Sequence, residues 1–433
     1  MMKKALFALL FAGAIPGLSL AQDSPEPARQ RLDFARTYFE GGMAYTPAFQ
    51  GAMMTNGDLG MATHGAKLHP YLTWGGFHFW GHAEFYVTFP FSSLAIQNGP
   101  EHDYWLSHGV VTGARYLPWA YEPGKLRPYV GLSWLGIEFR PRHENPDDAP
   151  ILTDNFVPAP DAGLLFGMGN WVGRLGVNLL PKNSWEYAVS PTQVETIRTP
   201  GWSLQAGIVY TFEESHHKEE AVNDRWNQYP RRSRLAVEDS PPGDWFVGIA
   251  PSGSFGLQAS EYTQSAFPFL DPRLSSKGFV ELAAGYQWNQ AGLFTAISFR
   301  NPTFATQGYG VSQEVQKTSL SLEVNKILVD FSGFAPFIGL NVAWDRLNYQ
   351  ETTETSQRSL VHQSWEPGLS FGWDIVPGKT DEALILRTSL RWYPFAQFEV
   401  DGQPFQFSQL EYNLIQAVFY PERYLRSKGM LKK

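Results

Sequence analysis

Four histidines, His64, His69, His78 and His82, fall within one short span, and clustered histidine is a familiar signature of a transition-metal site. His78 and His82 share a parity, but four strand residues separate them by about 13 Å, too far to share one ion. His64 and His69 lie on a polar connection, so the set reads as solvated or interfacial histidine and no metal is expected. His102, Asp103 and His108, with serines nearby, are the one crowd that could supply a nucleophile, a base and an orienting carboxylate. Their spacing follows no catalytic pattern, and the chain is not expected to be an enzyme. Asp147, Asp148 and Asp154 offer oxygen ligands for Ca²⁺ without the spacing of a calcium loop. No cofactor is expected.

The charges with a sharper signal sit singly inside stretches of period two. From Phe279 to Trp288, residues Val280, Leu282, Ala284, Tyr286 and Trp288 share one face, and Glu281, Ala283, Gly285 and Gln287 share the other. Trp202–Tyr210, Ile338–Asp345 and Ser319–Asn325 alternate in the same way. About sixteen such strands can be counted, eight in each half of the chain. Taken as the polar face, the alternation turns Glu84, Arg115 and Arg174 inward in the first half. In the second half it turns Glu281, Glu323, Asp345, Arg387, Arg391 and Glu411 inward. Both halves carry both signs, so these groups either pair inside narrow barrels or line a wide, ion-conducting lumen. Arg174 and Arg387 fall at equivalent places, with Leu175 and Leu386 on the opposite face.

The connections position these faces. Short turns (Trp80–Ala83, Tyr121–Lys125, Gly167–Asn170, Asn289–Gly292, Phe331–Gly333 and Pro377–Asp381) alternate with long polar connections such as Gly51–Lys67, Arg140–Asn155, Pro181–Pro200 and Asn301–Lys317. A soluble sandwich has no reason to sort loop lengths by end, whereas a membrane barrel puts short turns in the periplasm and long loops outside. Lipid offers no hydrogen bonds, so such a sheet must close. Met1–Ala21 has the basic start, short apolar run and small-residue cleavage site of a secretory signal peptide. No later run is apolar and long enough for a helical span. The chain has no Cys, 15% aromatic residues, 40 Gly and a net charge of −8, a balance that argues against a nucleic-acid partner.

A second regularity divides the chain. Leu126–Leu132 is echoed by Phe334–Leu340, Gly163–Gly167 by Gly368–Gly372, Arg174–Pro181 by Arg387–Pro394, and Leu204–Tyr210 by Leu414–Tyr420. The echoes keep their order, as expected for internal duplication of a large unit. They delimit a signal peptide (1–21), a first eight-strand repeat (22–212), a charged periplasmic linker (213–243), a second eight-strand repeat (244–420) and a basic periplasmic tail (421–433). Residues Glu213–Asn227 of the linker could form a short helix.

From Phe39 to Tyr420 the chain resembles the small outer-membrane barrels of Gram-negative bacteria, the OmpA/OmpW-like superfamily, here in tandem. The resemblance is one of architecture and rests on no diagnostic motif. Gln409–Tyr420 resembles that group's closing strand, with Leu410, Tyr412 and Leu414 outward, but Pro421–Lys433 follows it. The resemblance implies an outer-membrane location, contact with outer-membrane lipid and insertion by the barrel-assembly machinery.

The expected fold is an all-β, antiparallel, up-and-down transmembrane barrel. A single closure of about sixteen strands is favoured over two tandem eight-stranded barrels, since sixteen strands leave an aqueous channel. The expected function is a porin-like passive channel for small polar solutes. The alternative is a non-conducting structural or interaction barrel serving a secretion, assembly or adhesion complex, with a periplasmic partner at the linker or tail.

Overall fold

The structure, a computed structural model, describes residues 34–431 apart from 56–57, 92–93, 95, 98–103, 142–151, 182, 213–219, 222, 225–240, 277, 332 and 377–382. The expected signal peptide and nearly all of the expected linker therefore lie outside the described residues. Within the linker, Glu220, Ala221, Asn223 and Asp224 are helical.

The first half contains β1 (Arg36–Thr46), β2 (Phe49–Thr55), β3 (Asp58–His64), β4 (Lys67–His78), β5 (Ala83–Pro90), β6 (Ile96–Gln97), β7 (Tyr104–Tyr116), β8 (Leu126–Pro141), β9 (Leu152–Met168), β10 (Trp171–Leu179), β11 (Ser184–Ser190), β12 (Gln193–Arg198) and β13 (Trp202–Phe212). The second half opens with β14 (Gly243–Gly256), α1 (Glu261–Ala266), β15 (Ser275–Ser276), β16 (Phe279–Trp288), β17 (Leu293–Arg300), β18 (Thr303–Gly308) and β19 (Val311–Ile327). It continues with β20 (Phe334–Thr352), β21 (Gln357–Ile375), β22 (Leu384–Tyr393), β23 (Gln397–Val400), β24 (Gln403–Gln406), β25 (Gln409–Phe419) and α2 (Pro421–Ser427).

Two rings close. In the first, β1, β4, β5, β7, β8, β9, β10 and β13 pair in order and β13 returns to β1. In the second, β14, β16, β17, β19, β20, β21, β22 and β25 pair in order and β25 returns to β14. The expectation of one sixteen-stranded closure is thereby corrected to the alternative, two tandem eight-stranded barrels. The reason lies in the register. The edge of β13 is taken by β1 from Thr37↔Phe212 to Tyr45↔Leu204, which leaves no edge for β14. The four sequence echoes fall on the fifth, sixth, seventh and eighth strands of both rings.

Inside and outside are inverted relative to a soluble sheet. On β16, Val280 and Leu282 are exposed while Glu281 is buried; on β19, Leu320, Leu322 and Val324 are exposed while Ser319, Ser321 and Glu323 are buried. An apolar exterior around a polar interior, with all strand edges closed, is the arrangement a bilayer selects. No helix among the described residues is long and apolar enough to cross a membrane; the strands do it. The crossing needs only about 10 residues per strand. β19, β20 and β21 are 17, 19 and 19 residues long, so they project beyond the bilayer at the long-loop end.

That end carries structure where polar loops were expected. Gly51–Lys67 contains the β2–β3 hairpin, and Pro181–Pro200 contains the β11–β12 hairpin; the two form a sheet in the order β11-β12-β2-β3. Asn56-Gly57, a pair favoured in two-residue hairpin turns, was the available signal. Leu410, expected to face lipid, is buried because it lies in register between Phe255 and Trp392.

The barrels stand side by side with their short turns at one end. There Phe85 stacks on Phe334 at 5.4 Å and meets Trp373 at 5.8 Å, and Phe79 meets Phe334 at 5.4 Å. At the long-loop end the Tyr309 hydroxyl donates to the carbonyl of Ala188 at 3.1 Å.

The closure predicts a cross-link. Met43 and Ala206 are register partners on β1 and β13. The double variant Met43→Cys/Ala206→Cys should form an intrachain disulfide, seen as a mobility change on non-reducing gels. A pair that stays reduced in folded protein would contradict separate closure of the first barrel.

Candidate functional site

Each barrel interior is built in three layers. In the first barrel the middle layer is ionic. Arg174, on β10, donates from Nη1 and Nη2 to the Glu84 carboxylate on β5 at 3.0 and 2.8 Å, and its Nε lies 3.0 Å from Glu40 on β1. Arg115, on β7, donates to Glu84 at 2.9 Å and to Asp161 on β9 at 2.5 Å. The Tyr71 hydroxyl donates to Glu40 at 2.7 Å, and the Tyr38 hydroxyl donates to Glu84. Arg115 also lies over the Tyr86 ring, 3.8 Å from its centroid. All five charged groups are buried.

Glycine makes room for these rings. A Cβ on Gly113 would stand 2.7 Å from the Tyr86 hydroxyl and 2.8 Å from the Leu132 carbonyl, and one on Gly75 would meet Tyr38 at 2.6 Å. The rings cross neighbouring strands at positions without side chains, which accounts for much of the glycine in the first half.

The second interior uses more pairs. Arg391 donates from Nη1 and Nη2 to Glu281 at 2.6 and 2.8 Å and from Nε to Glu323 at 2.6 Å. Arg387 holds Asp374 through two bonds of 2.7 and 2.8 Å, with its guanidinium 3.9 Å from the Phe294 ring centroid. Lys317 bridges Asp345 at 2.7 Å and Glu411 at 2.9 Å, and Arg300 pairs with Glu411. Between these groups the lining is small and polar: Ser298, Ser319, Ser321, Ser370 and Ser389 are all buried.

Apolar layers lie on both sides of the charges. At the short-turn end of the first barrel, Phe77 stacks on Tyr121 at 4.7 Å within a cluster that includes Leu117, Leu165, Val172 and Val209. The corresponding cluster in the second barrel holds Phe246, Phe294, Phe337 and Tyr420. At the long-loop end the outer hairpins cover the mouths, Phe49, Trp185 and Ile197 on the first and Phe398, Phe405 and Phe407 on the second. The α1 helix is tied to the second mouth. The Tyr262 hydroxyl donates to Glu351 at 2.9 Å, and Thr263 donates to Gln313 at 2.8 Å. Burial and the hydrogen bond to Glu351 push the Tyr262 phenol up to about 12.

All nine residues assigned inward from sequence are buried in the two interiors, in two separate groups and not around one lumen. Glu84, Arg115 and Arg174 meet directly. Glu281, Glu323 and Arg391 form one cluster, Asp345 and Glu411 share Lys317, and Arg387 pairs apart from them with Asp374. Sequence reasoning missed Glu40, Asp161, Arg300, Lys317 and Asp374. An inward arginine requires a carboxylate, and Asp161 shares its parity with the inward Gly163 and Leu165.

The other candidates are not gathered. No group of three potential metal ligands occurs among the described residues. His69 and His78 are buried apart, His78 packs on Phe34 and Phe85, and the His82 ring lies 3.1 Å from the Leu117 carbonyl. His102, Asp103 and Asp147–Asp148 lie outside the described residues, as do the side chains of His64, His108 and Asp154. The tail is not free at its start. Arg423 donates to Asp244 at 2.8 Å and Arg426 joins it, seating α2 against β14, while Lys428 is exposed and Lys432 and Lys433 lie outside the described residues.

No family model and no curated protein matches the chain. Similar solved structures include the Neisserial surface protein A, 12% identical, covering 41% of this chain and 99% of that one with a TM-score of 0.29. The outer-membrane protein AlkL is 15% identical over 45% of this chain and 96% of its own, with a TM-score of 0.30. An outer-membrane channel from Pseudomonas putida F1 is 9% identical over 92% of this chain and all of its own, with a TM-score of 0.17.

Two substitutions test the interior. Glu84→Gln leaves two buried guanidinium groups short of a counter-charge and should cost about 3 kcal/mol of stability, read from denaturant unfolding of the refolded protein. Gly113→Ala should destabilise by ~1–3 kcal/mol through overpacking, whereas Gly41→Ala, whose added Cβ meets nothing within 4 Å, should not show a packing cost.

Proposed function

We propose that this outer-membrane protein is a non-conducting, non-enzymatic interaction barrel, in which two sealed membrane units hold structured heads at the outer surface. The observation that carries the reading is the state of the lumen charges. A passive route for polar solutes needs a continuous water-filled path, and charged groups along it would face water. Here Glu84 is 0% exposed and Arg391 3%, each paired and enclosed between apolar layers. An eight-stranded wall leaves an interior just wide enough for such side chains. The work then falls to the surfaces: the outer hairpins, the linker and the tail, as in a component of a secretion, assembly or adhesion complex.

One observation favours the porin-like reading. The serine lining of the second barrel reaches less far toward the axis than the tyrosines of the first, so a conduit for small polar solutes would run through the second barrel, with α1 displaced. Planar-bilayer recording separates the two readings. Folded wild-type protein should give silent bilayers, and discrete conductance steps would overturn the sealed-barrel reading. Steps seen only in Tyr262→Ala, which cuts the tie between α1 and Glu351, would support a gated second barrel instead.

A further inference from the structure

We propose that the free edge of β3 pairs with β3 of a second copy of this chain, joining the outer sheets of two molecules. The inference goes beyond the sealed-barrel reading and does not depend on it.

Among the described residues β3 pairs with β2 alone, at the end of the sheet β11-β12-β2-β3. The hairpin register is unbroken from Phe49↔His64 to Thr55↔Asp58, with two residues of chain between the innermost partners. In such a hairpin the residues flanking the turn exchange both backbone hydrogen bonds, and the pattern then alternates. Asp58, Gly60 and Ala62 therefore address β2, while Leu59, Met61 and Thr63 turn their N–H and C=O groups outward.

Native sheets protect such edges with lysine, proline, bulges or short strands. β3 has seven residues, no Lys, no Pro and no bulge. The opposite edge, β11, has a register shift between Ala188 and Ser190 and carries Glu186. The middle of β3 is also uncovered: Leu59 is 46% exposed, Met61 is 69% exposed, and Gly60 between them is exposed too. An unprotected ladder with bare apolar side chains is a template for another strand.

A second β3 fits this edge better than an arbitrary strand. Antiparallel pairing centred on Met61 sets Met61 opposite Met61 and Leu59 opposite Thr63, so outward-turned residues meet only outward-turned residues. The contact is self-complementary, as a two-fold interface requires.

The chain has no Cys, so single substitutions in the full-length protein report cleanly. Under mild oxidation in proteoliposomes, Met61→Cys should give a disulfide-linked dimer. Leu59→Cys should give several-fold less, because two Leu59 residues stand about 13 Å apart in this register. Thr196→Cys, exposed on the central strand β12, measures random collision. Met61→Pro removes one outward N–H and leaves the β2–β3 ladder whole. It should weaken association about tenfold, the worth of one or two net hydrogen bonds, counted by single-molecule photobleaching of folded, labelled protein. Equal cross-linking of Met61→Cys and Thr196→Cys overturns the proposal, as does a Met61→Pro protein that folds and dimerises like wild type.

Discussion

Eight antiparallel strands close around a space that side chains alone can fill, and this constraint shapes nearly everything else in the molecule. Lipid forces the closure, because an open edge would leave backbone donors and acceptors unpaired. Closure then fixes the circumference, and the circumference fixes how much can point inward. A guanidinium placed there cannot reach bulk water, so it must find its counter-charge across the lumen. Arg174 does so with Glu40 and Glu84, which sit on the first and third strands while Arg174 sits on the seventh. The ion pairs thus follow from the geometry of the wall. They also act on it, since a one-residue slip of any strand would turn its charge toward lipid.

The same narrowness explains the order of the layers. Ion pairs occupy the middle, where hydrogen-bonding tyrosines or serines can complete them. Apolar clusters occupy both ends, where a ring such as Phe77 or Phe337 excludes water from the charges below. Ion pairs shielded in this way contribute little net stability compared with an apolar filling, but removing one partner strands the other. The arrangement is therefore tolerant of being built and intolerant of being edited.

Much of this was legible in the sequence, for a physical reason. Side chains alternate strictly along a strand, so the parity of Glu281 or Glu323 against the leucines around it fixes its side of the wall. Loop lengths sorted by end identify a membrane barrel because only a membrane distinguishes the two ends. The closure was not legible. Whether β13 meets β1 or β14 depends on which edges find each other in space, and parity is identical in both cases. The outer hairpins were missed because period two was sought only where one face was apolar; Asn56-Gly57 was the stronger local signal. Lys317 was assigned to a loop because its strand runs on past the bilayer, where the alternation no longer reports lipid.

Separate closure also explains why a linker is needed and what must replace a shared wall. An even number of strands returns the chain to the side from which it entered, so Phe212 and Gly243 both lie at the short-turn end and the linker joins them there. Two barrels in lipid gain little from burying apolar surface against each other, since the solvent they displace is itself apolar. What remains is close packing and ring geometry. The contacts at that end are of this kind: Phe79 and Phe85 from the first barrel, Phe331, Phe334 and Trp373 from the second, within ring-stacking range. Phe334 opens the fifth strand of the second barrel, where the first has Leu126, which is 58% exposed. Equivalent strands thus carry different outer residues: one copy presents an aromatic to its neighbour, and the other presents an aliphatic residue to lipid. The inward faces are constrained by closure, and the outward faces are where the two copies are free to differ.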